Sequence, residues 1–238
     1  MGNYLGNDLS YEKNRLSERV WAYRKLGMRK EAVSECKKLI RTDPDDPSSF
    51  IELGFNCEEN GETEKAIRYY KYAIKKFPEY SCTYVNLGYC FEKYKKRDDM
   101  AMVCYEKALQ LNPADTWSLN NLGSILQKQR RWEEAISYYN KAFESPEQKE
   151  EECMFQILHN LGWAYYKCKK YQEACDILYY LVQKDKDNPS VFSDFGCVLY
   201  KMRNFKGALA AFEDALSIQP NNRHYRCLYQ VADKKLSK

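Results

Sequence analysis

Histidine is scarce in this chain, with two among 238 residues, and long apolar runs are missing. Because no apolar run reaches the length of a membrane span, we expect no transmembrane helix and no direct membrane insertion. The first residues lack the basic region and apolar core of a secretory signal, so we expect a cytoplasmic protein. No glycine-rich phosphate loop appears, and no nucleophile or carboxylate is tied to His159 or His224 by spacing. The sequence therefore predicts that the protein is not an enzyme, with no catalytic residues and no cofactor.

Paired cysteine motifs are also absent, although the chain contains ten cysteines. None forms a Cys-x-x-Cys pair, and no paired histidines accompany them, so we expect no metal site. Several cysteines, such as Cys36 and Cys57, fall at core positions of the pattern described next, and we interpret them as small reduced hydrophobes. The net charge of +4 is too small to indicate nucleic acid as a partner.

What the chain does have is a repeat. A Leu-Gly or Phe-Gly step recurs in five units, and an alanine follows each glycine by 12 or 13 residues. Four residues later comes Tyr, Leu or Phe, and three residues after that comes Ala or Leu. The glycines are Gly54, Gly88, Gly123, Gly162 and Gly196, which lie 34, 35, 39 and 34 residues apart.

The second unit shows the local signals most clearly. Asp46 can cap a helix with Pro47 at its first position, and Gly61 ends that helix. A second helix follows and stops at Pro78. A glycine inside a helix costs about 1 kcal/mol relative to alanine. Meeting that cost in five units implies that two helices cross closely there, and we expect Ala66 or its equivalent to supply the opposite surface.

We predict six repeats, which follow a polar N-terminal segment at 1–12 and precede a C-terminal capping helix with a basic tail at 223–238. The repeats fill 13–222, as 13–46, 47–80, 81–115, 116–149, 155–188 and 189–222. The first is degenerate, because Val20 replaces the glycine. Five extra residues, Glu150 to Met154, precede the fifth repeat, and we interpret them as a solvated extension of its first helix.

The Leu-Gly step, the alanine twelve residues on, the aromatic and alanine after it and the closing proline resemble the tetratricopeptide repeat. The resemblance covers nearly the whole chain. It implies an all-α fold, a right-handed α-solenoid superhelix of about six helix-turn-helix repeats plus the capping helix. It also implies that the first helix of each repeat lines a concave groove, which typically binds a peptide or an extended protein segment.

Helix geometry separates two faces on these first helices. Positions 4, 7, 8 and 11 of the repeat form the core stripe, and positions 2, 6, 9 and 13 lie about 180° away. If this opposite face were only solvent-exposed, its residues would be polar, yet position 9 is largely aromatic. Position 9 holds Trp21, Phe55, Tyr89, Ser124, Trp163 and Cys197. Position 13 holds Lys25, Glu59, Lys93, Lys128, Lys167 and Lys201.

Position 6 carries asparagine in three consecutive repeats, at Asn86, Asn121 and Asn160. A side-chain amide offers both a donor and an acceptor, so it can pair with an extended backbone without reading side chains. This arrangement resembles the asparagine ladder of superhelical tetratricopeptide proteins, such as the O-linked N-acetylglucosamine transferase repeats. The alternative is that these asparagines are merely solvated.

The lysines could attract an acidic ligand or be ordinary surface lysines. The aromatic residues could stack on ligand side chains, or contact a neighbouring helix or a second copy of the chain. The predicted peptide-binding residues are Asn86, Tyr89, Lys93, Asn121, Lys128, Asn160, Trp163, Tyr166, Lys167 and Lys201.

These patterns favour a non-catalytic adaptor or scaffold whose concave groove binds an extended peptide segment, acidic or aromatic-containing. The alternative is a structural scaffold that self-associates into a larger assembly, with the aromatic groove against the terminal helix. RNA binding by a pentatricopeptide-like hairpin is disfavoured, because the Leu-Gly and Pro signatures belong to the tetratricopeptide type.

Overall fold

The computed structural model describes residues 3–146 and 151–236. Over these ranges the chain forms thirteen α-helices and no β-strand, which confirms the predicted all-α fold. The helices are α1 (Asn3–Lys25), α2 (Arg29–Thr42), α3 (Pro47–Glu59), α4 (Thr63–Lys76), α5 (Ser81–Lys93), α6 (Asp98–Leu111), α7 (Thr116–Lys128), α8 (Trp132–Glu144), α9 (Glu151–Lys167), α10 (Tyr171–Lys184), α11 (Pro189–Lys201), α12 (Phe205–Ile218) and α13 (Arg223–Leu236). None of the helices so described is both long and apolar enough to cross a membrane.

The chain divides into two compact units, unit 1 at Met1–Pro113 and unit 2 at Ala114–Lys238. Unit 1 contains the three helical hairpins α1–α2, α3–α4 and α5–α6, and unit 2 contains α7–α8, α9–α10 and α11–α12 followed by α13. Within each unit, the second helix of one hairpin packs against the first helix of the next. Consecutive first helices also touch, as α3 with α5 and α9 with α11 do.

Helix starts follow the predicted chemistry at α3. The Asp46 carboxylate accepts a hydrogen bond from the Ser48 backbone N–H at 3.2 Å, and Pro47 occupies the first helical turn. Asn188 stands at the same place before α11, but its side chain accepts from the Ser190 hydroxyl at 2.8 Å instead of from a backbone N–H.

Each hairpin turn contains one residue in the left-handed conformation. In the first two repeats it is a glycine, Gly27 (φ 69°) or Gly61 (φ 75°), and the turn at Gly61 was expected from the sequence. In the other four repeats a basic residue adopts it, in the order Lys96, Arg130, Lys169 and Arg203. The turn geometry is therefore kept in all six repeats, although the glycine is not.

The recurring glycine meets a side chain of the second helix. A methyl group at Gly196 would lie 2.5 Å from Phe212 Cε1, and one at Gly123 would lie 2.6 Å from Tyr139 Cε1. The same overlap occurs between Gly54 and the ring of Tyr70. The expectation that Ala66 or its equivalent supplies the opposing surface is wrong, because the aromatic ring four residues later fills the space.

The first repeat exchanges the sizes of the two residues at these positions. Val20 replaces the glycine, and Cys36 replaces the aromatic residue that faces it elsewhere in the repeat pattern. Both side chains are buried, with 1% and 0% of their surface exposed. A larger residue on the first helix is thus matched by a smaller one on the second, which keeps the packed volume of the hairpin.

The predicted core stripe is buried, but burial extends beyond it. In α3 the stripe residues Phe50, Leu53 and Cys57 are at most 6% exposed. Ser49 and Asn56, at positions 3 and 10, are each 2% exposed as well. They are buried because the first helix packs against neighbouring repeats in addition to its own hairpin partner.

The structure describes part of the polar N-terminal segment and part of the five-residue insertion. Helix α1 begins at Asn3, so residues 3–12 are helical in the polar N-terminal segment. In the insertion, residue 150 lies outside the described residues, as do residues 147–149 before it. Glu151 to Met154 form the first turn of α9.

Helix α13 packs on the end of unit 2. Tyr225 and Ala232 are buried, and Leu228 and Tyr229 pack against a cluster that includes Phe212 and Leu199. The helix therefore shields the last hairpin from solvent, as a terminal repeat requires.

We predict that Gly196→Ala lowers the free energy of unfolding. Overpacking against the Phe212 ring costs about 1–3 kcal/mol, which exceeds the gain of about 1 kcal/mol from alanine in a helix. Chemical denaturation monitored by circular dichroism measures the change. Gly162→Ala is the matched control and should lower stability less, because its methyl group would lie 3.1 Å from Leu178 Cγ, a smaller overlap than at Gly196. Equal stability of Gly196→Ala and the wild type would contradict the packing argument, whereas rescue by an added Phe212→Leu would support it.

We also predict that Tyr70→Phe raises the free energy of unfolding by about 1 kcal/mol. The Tyr70 hydroxyl is buried and finds no hydrogen-bond partner within the described part of the chain. Tyr105→Phe is the control, because its hydroxyl donates to Glu92 Oε2 at 3.1 Å and its loss should lower stability by about 0.5–1.5 kcal/mol. Chemical denaturation measures both changes, and the prediction would be refuted if Tyr70→Phe and Tyr105→Phe changed the free energy of unfolding in the same direction.

Candidate functional site

The aromatic and lysine stripes of the first helices form one set of contacts. Position 9 and position 13 are four residues apart, so their side chains meet on one helix face. The lysine ammonium lies over the aromatic ring in three repeats, at 5.7 Å for Lys25 on Trp21, 4.7 Å for Lys93 on Tyr89 and 4.2 Å for Lys167 on Trp163. We call these the aromatic–lysine pairs. They are cation–π contacts, and each leaves the charge accessible at the surface.

The second repeat differs, because its position 13 is acidic. The Arg24 guanidinium lies 4.4 Å from the centroid of Phe55 and forms ion pairs with Glu52 at 3.0 Å and Glu59 at 3.4 Å. The guanidinium covers the ring, and both carboxylates have an ion-pair partner within unit 1. The first-helix face of the second repeat is therefore covered by the protein's own side chains, whereas Trp21 of the first repeat remains exposed.

The third repeat presents a small cluster at the end of α5. Tyr89 and Tyr94 pack edge to face with centroids 6.2 Å apart, and Lys93 lies within 5.0 Å of both centroids. The hydrogen bond between Lys93 and the Tyr89 hydroxyl raises the pKa of the lysine, so it stays charged. The Tyr94 hydroxyl donates to the buried Glu58 at 3.2 Å, which fixes the cluster to α3.

Unit 2 carries the larger aromatic surface. Trp163 stacks on Tyr166 with centroids 5.0 Å apart, and Tyr171 continues the row 6.0 Å beyond Tyr166. Lys167 lies over both stacked rings, 4.2 Å from Trp163 and 5.5 Å from Tyr166. The three rings form a continuous apolar surface, and the Lys167 ammonium lies on it.

Beside this surface lies a cleft of about 200 Å³, which we call the unit 2 cleft. Its lining comes from four helices and comprises Tyr166, Cys197, Tyr200, Lys201, Phe212, Leu228 and Val231. Burial raises the pKa of the Cys197 thiol to about 11, while Lys167 and Lys201 act on it in the opposite direction. The two lysines thus stand close to the cleft, and both side chains are exposed.

The three predicted asparagines are not equivalent. The Asn160 amide donates to Asn120 Oδ1 at 3.3 Å and accepts from Gln156 at 3.0 Å. No hydrogen bond is recorded for the side chains of Asn86 and Asn121 among the described residues. Both are half-buried, and Asn121 lies on α7 in unit 2, whereas Asn86 lies on α5 in unit 1. Asn160 therefore joins two repeats, which is a role that sequence reasoning missed.

A second polar contact of the same kind involves His159. Its Nε2 lies 2.9 Å from Asp194 Oδ2 on the next first helix. In both pairs, position 5 of one repeat contacts position 6 of the following repeat. The sequence contained this signal, because polar residues occupy both positions, but spacing within one helix could not show it.

The remaining predicted residues are placed as follows. Lys128 is exposed at the last residue of α7, and Lys201 is exposed at the last residue of α11. The structure brings Trp163, Tyr166, Lys167 and Lys201 together around the unit 2 cleft. It adds Tyr171, Tyr200, Leu228 and Val231, which sequence reasoning did not select. Tyr171 lies on a second helix, and Leu228 and Val231 lie on α13. Tyr200 lies on the first helix α11, but at position 12, outside the stripe of positions 2, 6, 9 and 13.

The thiols and carboxylates show no grouping suited to a metal. The described residues contain no cluster of three or more His, Cys, Asp or Glu side chains that could hold an ion. Burial raises the pKa of Cys36 to about 12 and that of Cys104 to about 11, which keeps these thiols protonated.

Comparison with known proteins agrees with the helical-hairpin architecture. Sequence models described as "Tetratricopeptide repeat" match residues 114–179 and residues 18–46, 83–115 and 190–222. Together these ranges cover more than half of the chain. The chain belongs to the tetratricopeptide repeat family. Membership of this family indicates a protein–protein interaction scaffold.

Curated relatives of this tetratricopeptide protein are longer than it is. BBSome complex member BBS4 of Bos taurus is 25% identical over 194 residues, which are 81% of this chain and 36% of the relative. The type IV pilus assembly protein PilF of Pseudomonas aeruginosa is 26% identical over 157 residues, which are 66% of this chain and 61% of the relative. The chain thus spans less than two thirds of the length of either relative.

Solved structures share the fold. The Cut9 and Hcn1 hetero-tetramer of the APC/C superposes with a TM-score of 0.74 at 22% identity, covering 95% of this chain and 46% of that chain. YrrB, described as a TPR protein with an unusual peptide-binding site, gives a TM-score of 0.69 at 21% identity, covering 84% and 97%. At these identities the likeness shows the tetratricopeptide fold alone.

We predict that Asn160→Ala lowers the free energy of unfolding by about 0.5–1.5 kcal/mol, because it removes hydrogen bonds that join two repeats. Asn121→Ala is the matched control and should change stability by less than about 0.5 kcal/mol. Urea denaturation of both variants measures the difference. A larger loss for Asn121→Ala than for Asn160→Ala would show that the contacts of Asn160 do not stabilise the stack.

Proposed function

We propose that the protein is a non-catalytic adaptor that binds an extended peptide segment on the first-helix face of unit 2. The observation that carries this proposal is the unit 2 cleft, an apolar cleft flanked by Lys167 and Lys201 and continuous with the stacked Trp163 and Tyr166. A large apolar side chain fits such a cleft, and aromatic walls supply much of the energy at peptide interfaces.

The charge at this site favours an acidic segment. Lys167 and Lys201 are exposed cations, and neither forms an ion pair among the described residues. A carboxylate of the peptide would meet these ammonium groups while an apolar neighbour enters the cleft. Such rim charges mainly raise the association rate and select against basic segments.

The asparagines have different parts in this proposal. Asn121 has an uncommitted amide that can pair with a peptide backbone. Asn160 retains one N–H and one lone pair after its contacts with Asn120 and Gln156, so it can contribute a single further bond in each direction. In unit 1, Asn86, Tyr89 and Lys93 would form a separate and smaller contact site on α5.

Self-association is the second candidate, because α13 exposes Val231 and Leu236 at 46% and 44% of their surface. An exposed apolar edge beside an aromatic cleft could receive the same edge from a second copy. Sedimentation over a range of concentrations tests this, and a monomer at every concentration would argue against it.

We predict that selection from a displayed random-peptide library enriches peptides that contain both acidic and aromatic residues on the wild-type chain. The Lys167→Glu/Lys201→Glu variant should lose these peptides, because the reversed charges repel the carboxylates. One enriched peptide, labelled for fluorescence anisotropy, should bind this variant at least about tenfold more weakly.

The control is Lys184→Glu/Lys206→Glu, which makes the same change of charge on the second helices α10 and α12. Binding of the labelled peptide should survive this change. If the enriched peptides bound both double variants equally, the site would lie elsewhere on the chain. Circular dichroism confirms that each variant is folded.

A further inference from the structure

Unit 1 carries two apolar clefts on the face formed by its second helices, away from the aromatic–lysine pairs. The first lies between α2 and α4 with a volume of about 470 Å³, and Phe50 and Leu53 form its floor. The second lies between α4 and α6 with a volume of about 380 Å³, and Tyr84 and Leu87 form part of its lining. Helix α4 is the wall that both clefts share.

Apolar side chains at both clefts are open to solvent. Tyr72 is 53% exposed and packs against Phe50 with ring centroids 5.2 Å apart. Val103, at the second cleft, is 64% exposed. Isolated surface hydrophobes are ordinary, but exposed apolar groups that line volumes of this size are a feature of binding sites. Each cleft has room for one large apolar side chain.

The first cleft is ringed by cations that unit 1 does not neutralise. Lys37 and Arg41 on α2 and Arg68 on α4 line it, and none of the three forms an ion pair among the described residues. Glu64, the acidic residue of α4, forms its ion pair with Lys95, and the charge of Arg68 acts on it without forming an ion pair.

Other cations of unit 1 have acidic partners. They include Lys13 with Asp43, Arg24 with Glu52 and Lys76 with Asp45. The charge at the first cleft is therefore a local excess of three positive groups around an apolar floor. A partner that fills this cleft and satisfies the charge must combine carboxylates with a large apolar side chain.

The second cleft repeats the arrangement with less charge. Lys71 and Lys107 line it together with Glu106. A segment that passes over α4 would meet the cations of the first cleft and then those of the second. Nucleic acid fits less well, because a phosphate backbone held by these cations would leave the apolar linings of the clefts unfilled and because Glu106 would repel it.

We propose that the second-helix face of unit 1 is a docking surface for an acidic peptide segment with two large apolar side chains, one for each cleft. The Lys37, Arg41 and Arg68 side chains bind its carboxylates, and Tyr72 and Val103 contact the apolar groups. This surface does not involve the unit 2 cleft, so one chain can hold two different segments at once.

The test uses the full chain carrying Lys167→Glu/Lys201→Glu, so that peptides of the unit 2 cleft are not recovered. A displayed random-peptide library is selected on this protein and on the same protein with Lys37→Glu, Arg41→Glu and Arg68→Glu added. We expect peptides rich in Asp and Glu with two aromatic or aliphatic residues, and their affinity should fall at least about tenfold on the added reversals. Tyr72→Ala should weaken the same peptides without changing the net charge.

The matched control reverses three other exposed cations of unit 1, Arg29, Lys30 and Lys96, and should leave the binding intact. Four outcomes would overturn the proposal: no peptide depends on the three reversals, the control reversals weaken binding equally, the enriched peptides lack acidic residues, or Tyr72→Ala has no effect. Tighter binding of a single-stranded RNA with the same dependence on these three cations would also overturn it in favour of nucleic acid. If Lys167→Glu/Lys201→Glu did not weaken the peptides selected on the wild-type chain, the proposed function would be refuted. The test of the unit 1 surface would still stand, because it depends only on the three charge reversals at the first cleft.

Discussion

The hairpins of both units depend on one contact, in which an aromatic or leucine side chain of the second helix occupies the space beside a glycine of the first. Five hairpins use it, from Gly54 with Tyr70 to Gly196 with Phe212, and the first hairpin exchanges the sizes as Val20 and Cys36. A buried ring cannot move aside as an exposed side chain can, so the two helices are held at one distance and one axial position. Because this geometry recurs, each hairpin presents a similar packing surface to the next hairpin of the same unit.

Because the hairpins are held rigidly, the charged and aromatic residues on their outer faces have defined neighbours. In the second repeat, the Arg24 guanidinium contacts the Phe55 ring and forms ion pairs with two glutamates, so the protein's own side chains cover this part of the first-helix face. On unit 2, stacked Trp163 and Tyr166 carry a lysine that no carboxylate neutralises among the described residues. Position 13 contributes to the difference, since it is glutamate in the second repeat and lysine in the fifth. Arg24 of the first repeat and Glu52 at position 6 complete the contacts that cover Phe55.

Sequence periodicity predicted the hairpins well because each one is stabilised by contacts within about 34 residues, and these contacts demand particular residue sizes at particular spacings. The start of α3 at Asp46 and Pro47 and the turns at Gly27 and Gly61 follow from local chemistry in the same way. The identity of the partner of each glycine was predicted wrongly. Alanine and tyrosine lie on the same helix, four residues apart, and only the crossing of the two helices decides which of them faces the glycine.

The sequence by itself determined the family, the all-α fold and the stripe of aromatic and lysine residues, because all of these depend on periodic patterns along one helix or one hairpin. Tertiary structure alone decided which polar residues face a neighbouring repeat. It buried Ser49 and Asn56, engaged Asn160 with Asn120 and His159 with Asp194, and assembled the unit 2 cleft from four helices. These contacts join residues a full repeat or more apart. Their geometry depends on how one hairpin packs on the next, and no spacing within a single helix contains that information.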